Sequence, residues 1–181
     1  MKTFFAAAAL TAALVAAPLA YASLAVGAKA PDFSAKASLG GKEFDFSLAD
    51  ALKKGPVVLY FYPAAFTKGC TIEAHNFAEA TAQYAALGAS VIGVSHDTID
   101  TLDKFSVSEC RNKFAVAADP DQKVIKAYDA VLKKAPQYAD RTSYVIAPDS
   151  TILMVYTDLN PDKHVTLTLA AVQTWREHHK H

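Results

Sequence analysis

Residues 57–62, Val-Val-Leu-Tyr-Phe-Tyr, form an unbroken apolar run between Gly55-Pro56 and Pro63. A run this short, rich in β-branched and aromatic residues, predicts a buried strand. Residues 90–95, Ser-Val-Ile-Gly-Val-Ser, predict a second. Between them, Ala74, Phe77, Ala78, the methyl of Thr81, Tyr84 and Leu87 recur at helical spacing, so residues 70–87 read as a one-faced helix closed by Gly88. Two apolar strands joined through a helix argue for a parallel sheet.

The flanks follow the same logic. Ala30-Pro31 biases the lead-in toward extended backbone. Gly40-Gly41 divides residues 35–47 into a hairpin, and Ser47 is placed to cap a brief helix up to Lys54. Asp97 or Thr98 opens a helix to about Glu109, residues 115–118 form a short strand, and Asp119-Pro120-Asp121 starts a helix toward Tyr128. Residues 141–146 and 151–156 flank a turn at Ala147-Pro148-Asp149-Ser150, a second hairpin. After Asn160-Pro161, Val165, Leu169, Val172 and Trp175 mark a closing helix. The order, a hairpin and then β-α-β-α-β-α-β-β-α, predicts an α/β protein, a three-layer α/β/α sandwich with an N-terminal β-hairpin extension.

The first residues follow a different pattern. Met1-Lys2-Thr3 is a short basic start, residues 4–19 are apolar apart from Thr11 and Pro18, and Ala20-Tyr21-Ala22 offers small residues at the −3 and −1 positions of a signal peptidase site. Residues 1–22 are therefore expected to be a cleaved signal peptide and residues 23–181 one domain, exported and periplasmic. The apolar stretch is short for a membrane span, and no later one is long or apolar enough. Lysine plus arginine balances aspartate plus glutamate at 18 each, without a basic run, so nucleic acid and anionic membranes are poor partners. The chain has two cysteines, Cys70 and Cys110, which export would carry to a compartment where pairing is allowed.

Cys70 falls where the first apolar strand gives way to its helix. A helix N-terminus offers orphan amide donors and the positive dipole end, both of which favour thiolate over thiol. A nucleophile needs that help, because a free thiol near pKa 8.5 is only a few per cent ionised at neutral pH. The alternative reading is a buried or permanently bridged cysteine. Thr67, three residues earlier, adds a hydroxyl facing the same spot, or simply caps the helix. Pro63 has a fixed φ and no N–H, which suits it to shaping the loop or merely to ending the strand. Arg141 opens an apolar strand, where a charge needs a reason. Glu73 lies one helical turn after Cys70, where it reaches the same rim or only complements the dipole.

The run Pro63-x-x-x-Thr67-x-x-Cys70 after an apolar strand resembles the signature of the peroxiredoxins (the AhpC/TSA superfamily), and Thr71-Ile72-Glu73 resembles their bacterioferritin-comigratory, or Q-type, branch. The similarity runs from about Gly27 to the last helix. It implies a thioredoxin fold and a thiol-dependent peroxidase acting on hydrogen peroxide or small organic hydroperoxides, with no metal, haem or flavin. It also implies roles: Cys70 attacks, Thr67 and Arg141 bind the oxygens, Pro63 shields the sulfur and Glu73 orients the arginine. An external dithiol protein, thioredoxin-like, would restore the reduced form of a monomer or weak homodimer.

Many Q-type relatives carry a resolving cysteine five residues after the first, but here that position is His75. The other thiol is Cys110, and the resemblance favours an intramolecular Cys70–Cys110 disulfide formed after local unwinding. A one-cysteine cycle with an external thiol and a plain structural bridge, worth roughly 4 kcal/mol in the loop-entropy picture, stay open. So do a thiol-disulfide oxidoreductase and a non-catalytic binding module on the same fold, although Thr67 stands where a CxxC motif would need a second cysteine. His75 and His96 read as surface or helix-polar residues. The terminal histidines suit a solvated tail or a weak metal contact. No HExxH, CxxC or glycine-rich phosphate loop occurs.

Overall fold

The computed structural model describes residues 24–179; the signal-peptide expectation lies outside them. Seven strands form one sheet: β1 (Ser34–Leu39), β2 (Lys42–Ser47), β3 (Val57–Phe61), β4 (Ser90–Ser95), β5 (Ala115–Ala118), β6 (Thr142–Ile146) and β7 (Ile152–Thr157). Among the described residues five α-helices accompany them, α1 (Leu48–Leu52), α2 (Lys68–Ala86), α3 (Ile99–Ser108), α4 (Lys123–Ala127) and α5 (His164–His178), with one 3-10 turn at Pro161–Lys163 before α5. The sheet order is β2-β1-β5-β4-β3-β6-β7. The fold is the thioredoxin-type α/β sandwich with its N-terminal hairpin β1–β2.

The sheet is mixed rather than parallel. β3, β4 and β5 run parallel, whereas β6 pairs antiparallel with β3, and β1 pairs antiparallel with β5. Helical crossovers impose parallel pairing only on the strands they join. The edge hairpins add their strands in the opposite sense.

β3 shows why its sequence is apolar throughout. Val57, Leu59 and Phe61 face one layer with α1 and α4, while Val58, Tyr60 and the following Tyr62 face the other with α2, α3 and α5. All six side chains are buried. On the second face Tyr60 stacks on Phe77 of α2 at 4.4 Å between ring centroids. Its ring lies flat across β4 because residue 93 is glycine, where a Cβ would come within 2.7 Å of Tyr60 Cζ. That layer contains both cysteines.

Caps follow the sequence with one exchange. Ser47 Oγ accepts from Asp50 N at the start of α1, and the Asp119 carboxylate accepts from Lys123 N and Ile125 N at the start of α4. Thr98 holds the cap position of α3 without a side-chain cap bond. Asp97 turns away instead, and its Oδ2 accepts from Ala65 N at 2.8 Å and Ser95 Oγ at 2.7 Å. It thereby ties the loop before α2 to the end of β4. Among the described residues no helix is long and apolar enough to cross a membrane.

Candidate active site

The end of β3 delivers the chain into the loop 62–67, and α2 begins two residues before Cys70. Thr71 N donates to Thr67 O, which seats Thr67 as N-cap. Its side chain makes no cap bond; the hydroxyl donates to Ala64 O at 2.9 Å. The hydrogen of Thr67 is thus directed into the loop and not toward Cys70, leaving the hydroxyl lone pairs as acceptors and the first-turn amides uncapped. Pro63 is half-buried at the start of this loop, and its carbonyl lies 3.0 Å from His96 Nδ1. Phe66 holds a positive φ of 63° and packs edge-on against Phe105 of α3 at 5.3 Å.

Cys70 is 1% exposed, in the first turn of α2. Arg141, immediately before β6, crosses to it. Its Nη2 lies 3.5 Å from Cys70 Sγ, its Nη1 pairs with Glu73 Oε2, and its Nε donates to Leu159 O at 2.9 Å. Three anchors thus fix the guanidinium plane, and a planar fork fills them where an ammonium could not. Gly69 makes the approach possible: a Cβ there would sit 2.9 Å from Nη2.

The electrostatics of the cluster follow from burial. Desolvation raises the Glu73 carboxyl to about 8, although Arg141 pulls it down. Burial works against the Arg141 charge, yet Glu73 and Cys70 outweigh it, so the guanidinium binds its proton more tightly than usual. Behind Glu73 lies His164, the first residue of α5, fully buried. Its Nδ1 stands 3.7 Å from Glu73 Oε1 and 2.8 Å from Ser143 Oγ, and its Nε2 is 2.8 Å from Asp158 O. Burial depresses its protonation, with the Asp158 carbonyl opposing.

Cys110 follows the C-terminal end of α3 and is buried, and both cysteines are free thiols. Burial pushes the Cys110 thiol well up, with Glu109 adding to the effect. Tyr60 and Tyr62 share its layer, and neither phenol oxygen has a hydrogen-bond partner. The two cysteines are unbridged, and a Cys70–Cys110 disulfide requires their Cα atoms to stand under about 7 Å apart.

The structure therefore brings Cys70, Arg141 and Glu73 into direct contact. Pro63 and Thr67 shape the adjoining loop, and Cys110 sits apart in the same core layer. His75 pairs with Glu109 at 2.9 Å, and His178 and His179 each set Nδ1 against a carbonyl of their own helix. Sequence reasoning missed His164, Ser143, Asp97 and Gly69. The signal for His164 was its spacing: with Thr168 and Val172 it forms the buried i, i+4, i+8 stripe of α5.

Comparison with known proteins agrees with this geometry. Residues 26–155 match the pattern of the AhpC/TSA family. The chain is 41% identical over 111 residues to the Helicobacter pylori strain J99 protein named peroxiredoxin bcp, covering 61% of this chain and 70% of that one. It is 32% identical over 148 residues to the Coxiella burnetii protein of the same name, covering 79% and 95%. Among solved structures, peroxidoxin BcpB from Mycobacterium tuberculosis superposes with a TM-score of 0.75 at 30% identity, over 82% of this chain and 96% of that one.

Proposed function

The chain belongs to the AhpC/TSA family, in its bcp and Q-type branch, and on the premise that it is a thiol-dependent peroxidase we propose the following roles for its residues. Cys70 is the peroxidatic nucleophile. Its thiolate attacks the terminal oxygen of a hydroperoxide, the O–O bond breaks, and the sulfur becomes a sulfenic acid as the alkoxide leaves and takes a proton to form alcohol or water. The observation that carries this is the Arg141 guanidinium, 3.5 Å from Sγ with its other arm fixed on Glu73. A donor already aimed at the reacting sulfur can stabilise the charge that shifts onto the peroxide oxygens without reorganising. Thr67 accepts a hydrogen bond from the hydroperoxide, which its own donation to Ala64 O leaves it free to do. Pro63 limits water at the sulfur, and Glu73 orients the arginine.

Cys110 then resolves the sulfenic acid. Its thiol displaces the hydroxyl from the Cys70 sulfur, forming the disulfide and releasing water. An external dithiol protein returns both cysteines to thiols by exchange. Residues 1–22 act as a signal peptide, and the mature domain works in the periplasm, where disulfide chemistry is supported.

The test is peroxide consumption by the purified mature domain with a small dithiol as reductant. Turnover is expected in the wild type and none in Cys70→Ser. Equal turnover in both would remove Cys70 from the reaction.

A further inference from the structure

One oxygen beneath Cys70 is buried with no partner. Glu73 Oε2 pairs with Arg141, but Oε1 accepts no hydrogen bond. Facing it at 3.7 Å is His164 Nδ1. The other bonds of that imidazole determine what Nδ1 can be. Nε2 meets the Asp158 carbonyl at 2.8 Å, and a carbonyl only accepts, so Nε2 carries hydrogen. In a neutral ring Nδ1 is then an acceptor with one lone pair, which the Ser143 hydroxyl 2.8 Å away can take or, by rotating its hydrogen, leave to another donor. An ionised Glu73, although paired with Arg141 through Oε2, would turn Oε1 toward that acceptor with no donor to meet it, the costly case of a buried polar atom left unsatisfied. One proton on Oε1 removes the conflict.

We propose that the reduced protein holds Glu73 as a neutral carboxylic acid, its proton on Oε1 turned toward His164 Nδ1. His164 is then a positioning residue, and the Arg141 charge is left to Cys70 and the peroxide. Neutral Glu73 still accepts from Arg141 through Oε2, so it orients the fork without claiming its charge. Were it ionised, two anions would share one cation and the carboxylate would repel the thiolate. Burial raises the Glu73 carboxyl and depresses protonation of His164, and both directions agree with this placement of the proton. The charged and titratable groups around the pair are Cys70 from α2, Tyr60 from β3, Arg141 before β6, Tyr156 from β7, whose ring lies 4.8 Å from the imidazole, and Asp158. Tyr60, raised well above the ordinary phenol value by burial, remains neutral.

The protonation state is a ground-state property; only its consequence for Cys70 rests on the peroxidase reading. The experiment is an infrared difference spectrum of reduced wild type minus Glu73→Gln at neutral pH. A carboxylic acid C=O band is expected, shifted in His164→Gln and lost above about pH 8. The rate of Cys70 oxidation by hydrogen peroxide should fall with it, by roughly tenfold per pH unit, while Glu73→Gln shows no such fall. In wild type, ¹⁵N resonances of His164 should show a neutral ring protonated at Nε2, a readout that depends on no variant. A difference spectrum of carboxylate bands alone, or an imidazolium signal from His164 at neutral pH, overturns the proposal. Rapid oxidation of Cys70 without the acid band sinks the proposal and leaves the peroxidase reading standing. The band in a protein inert to peroxide does the reverse.

Discussion

Replacing Arg141 with leucine removes three anchored donors from one buried side chain. The guanidinium contacts Cys70 Sγ, Glu73 Oε2 and Leu159 O, and it is 3% exposed. The catalytic loss can be set from the first contact. A preorganised donor aimed at shifting charge in a water-poor site is worth about 2.7–4 kcal/mol, which corresponds to a 10²–10³-fold slower attack on peroxide. The stability loss is smaller than breaking a buried ion pair usually implies. That usual figure, about 3–5 kcal/mol, reflects a charge left uncompensated. Glu73 avoids the penalty, because a carboxyl raised to about 8 is already protonated at neutral pH. What remains is a buried Glu73 Oε2 left without its donor and lost packing, about 1–3 kcal/mol. Stopped-flow measurement of Cys70 oxidation under pseudo-first-order peroxide gives the first quantity, and urea unfolding gives the second. A variant that folds stably yet attacks peroxide within threefold of the wild-type rate would refute the role assigned to Arg141.

Four further outcomes follow from other contacts. Gly69→Ala places a methyl 2.9 Å from Arg141 Nη2 and should slow the first step by about tenfold or more, with little change in unfolding midpoint, read by the same pair of assays. Cys110→Ser should complete the first oxidation at wild-type speed and then accumulate sulfenic acid, visible by trapping with dimedone; normal cycling without that species would exclude Cys110 as resolver. Gly93→Ala drives a methyl into the Tyr60 ring and should destabilise the fold by about 1–3 kcal/mol in urea melts. The last concerns pH. Folded Glu73 keeps its proton to about 8 while the unfolded chain releases it near 4.5, so the folded state binds more protons in that window. This contribution to stability is fully present below pH 4.5 and is lost as pH rises to about 8. Glu73→Gln should therefore show a shallower decline across the window than wild type in unfolding measured at several pH values.

The parts of the site that are close in sequence were the legible ones. Pro63, Thr67, Cys70 and Glu73 lie within one loop and the first turns of one helix, so spacing alone placed them together. Arg141 was legible as a charge opening an apolar strand. His164 was not, since its contact with Glu73 depends on α5 packing against α2, which no local pattern encodes. Asp97 is the same case, a candidate helix cap that bonds instead to the loop before Cys70. The hydroxyl of Thr67 went unread for the opposite reason: a carbonyl three residues back, Ala64 O, takes its hydrogen. In the fold, the five α-helices and seven strands were visible from period and punctuation, whereas the 3-10 turn at Pro161–Lys163 and the antiparallel pairing of β3 with β6 were not. That pairing joins residues more than eighty positions apart in the chain.

The most direct test of Cys70 as a peroxide-attacking thiol is mass analysis of the fully reduced domain, mixed with one equivalent of hydrogen peroxide and quenched with an alkylating reagent over milliseconds to minutes. The expected result is that Cys70 escapes alkylation first, with a disulfide-linked Cys70–Cys110 peptide appearing afterwards. Both cysteines remaining fully alkylatable after minutes of exposure would contradict it.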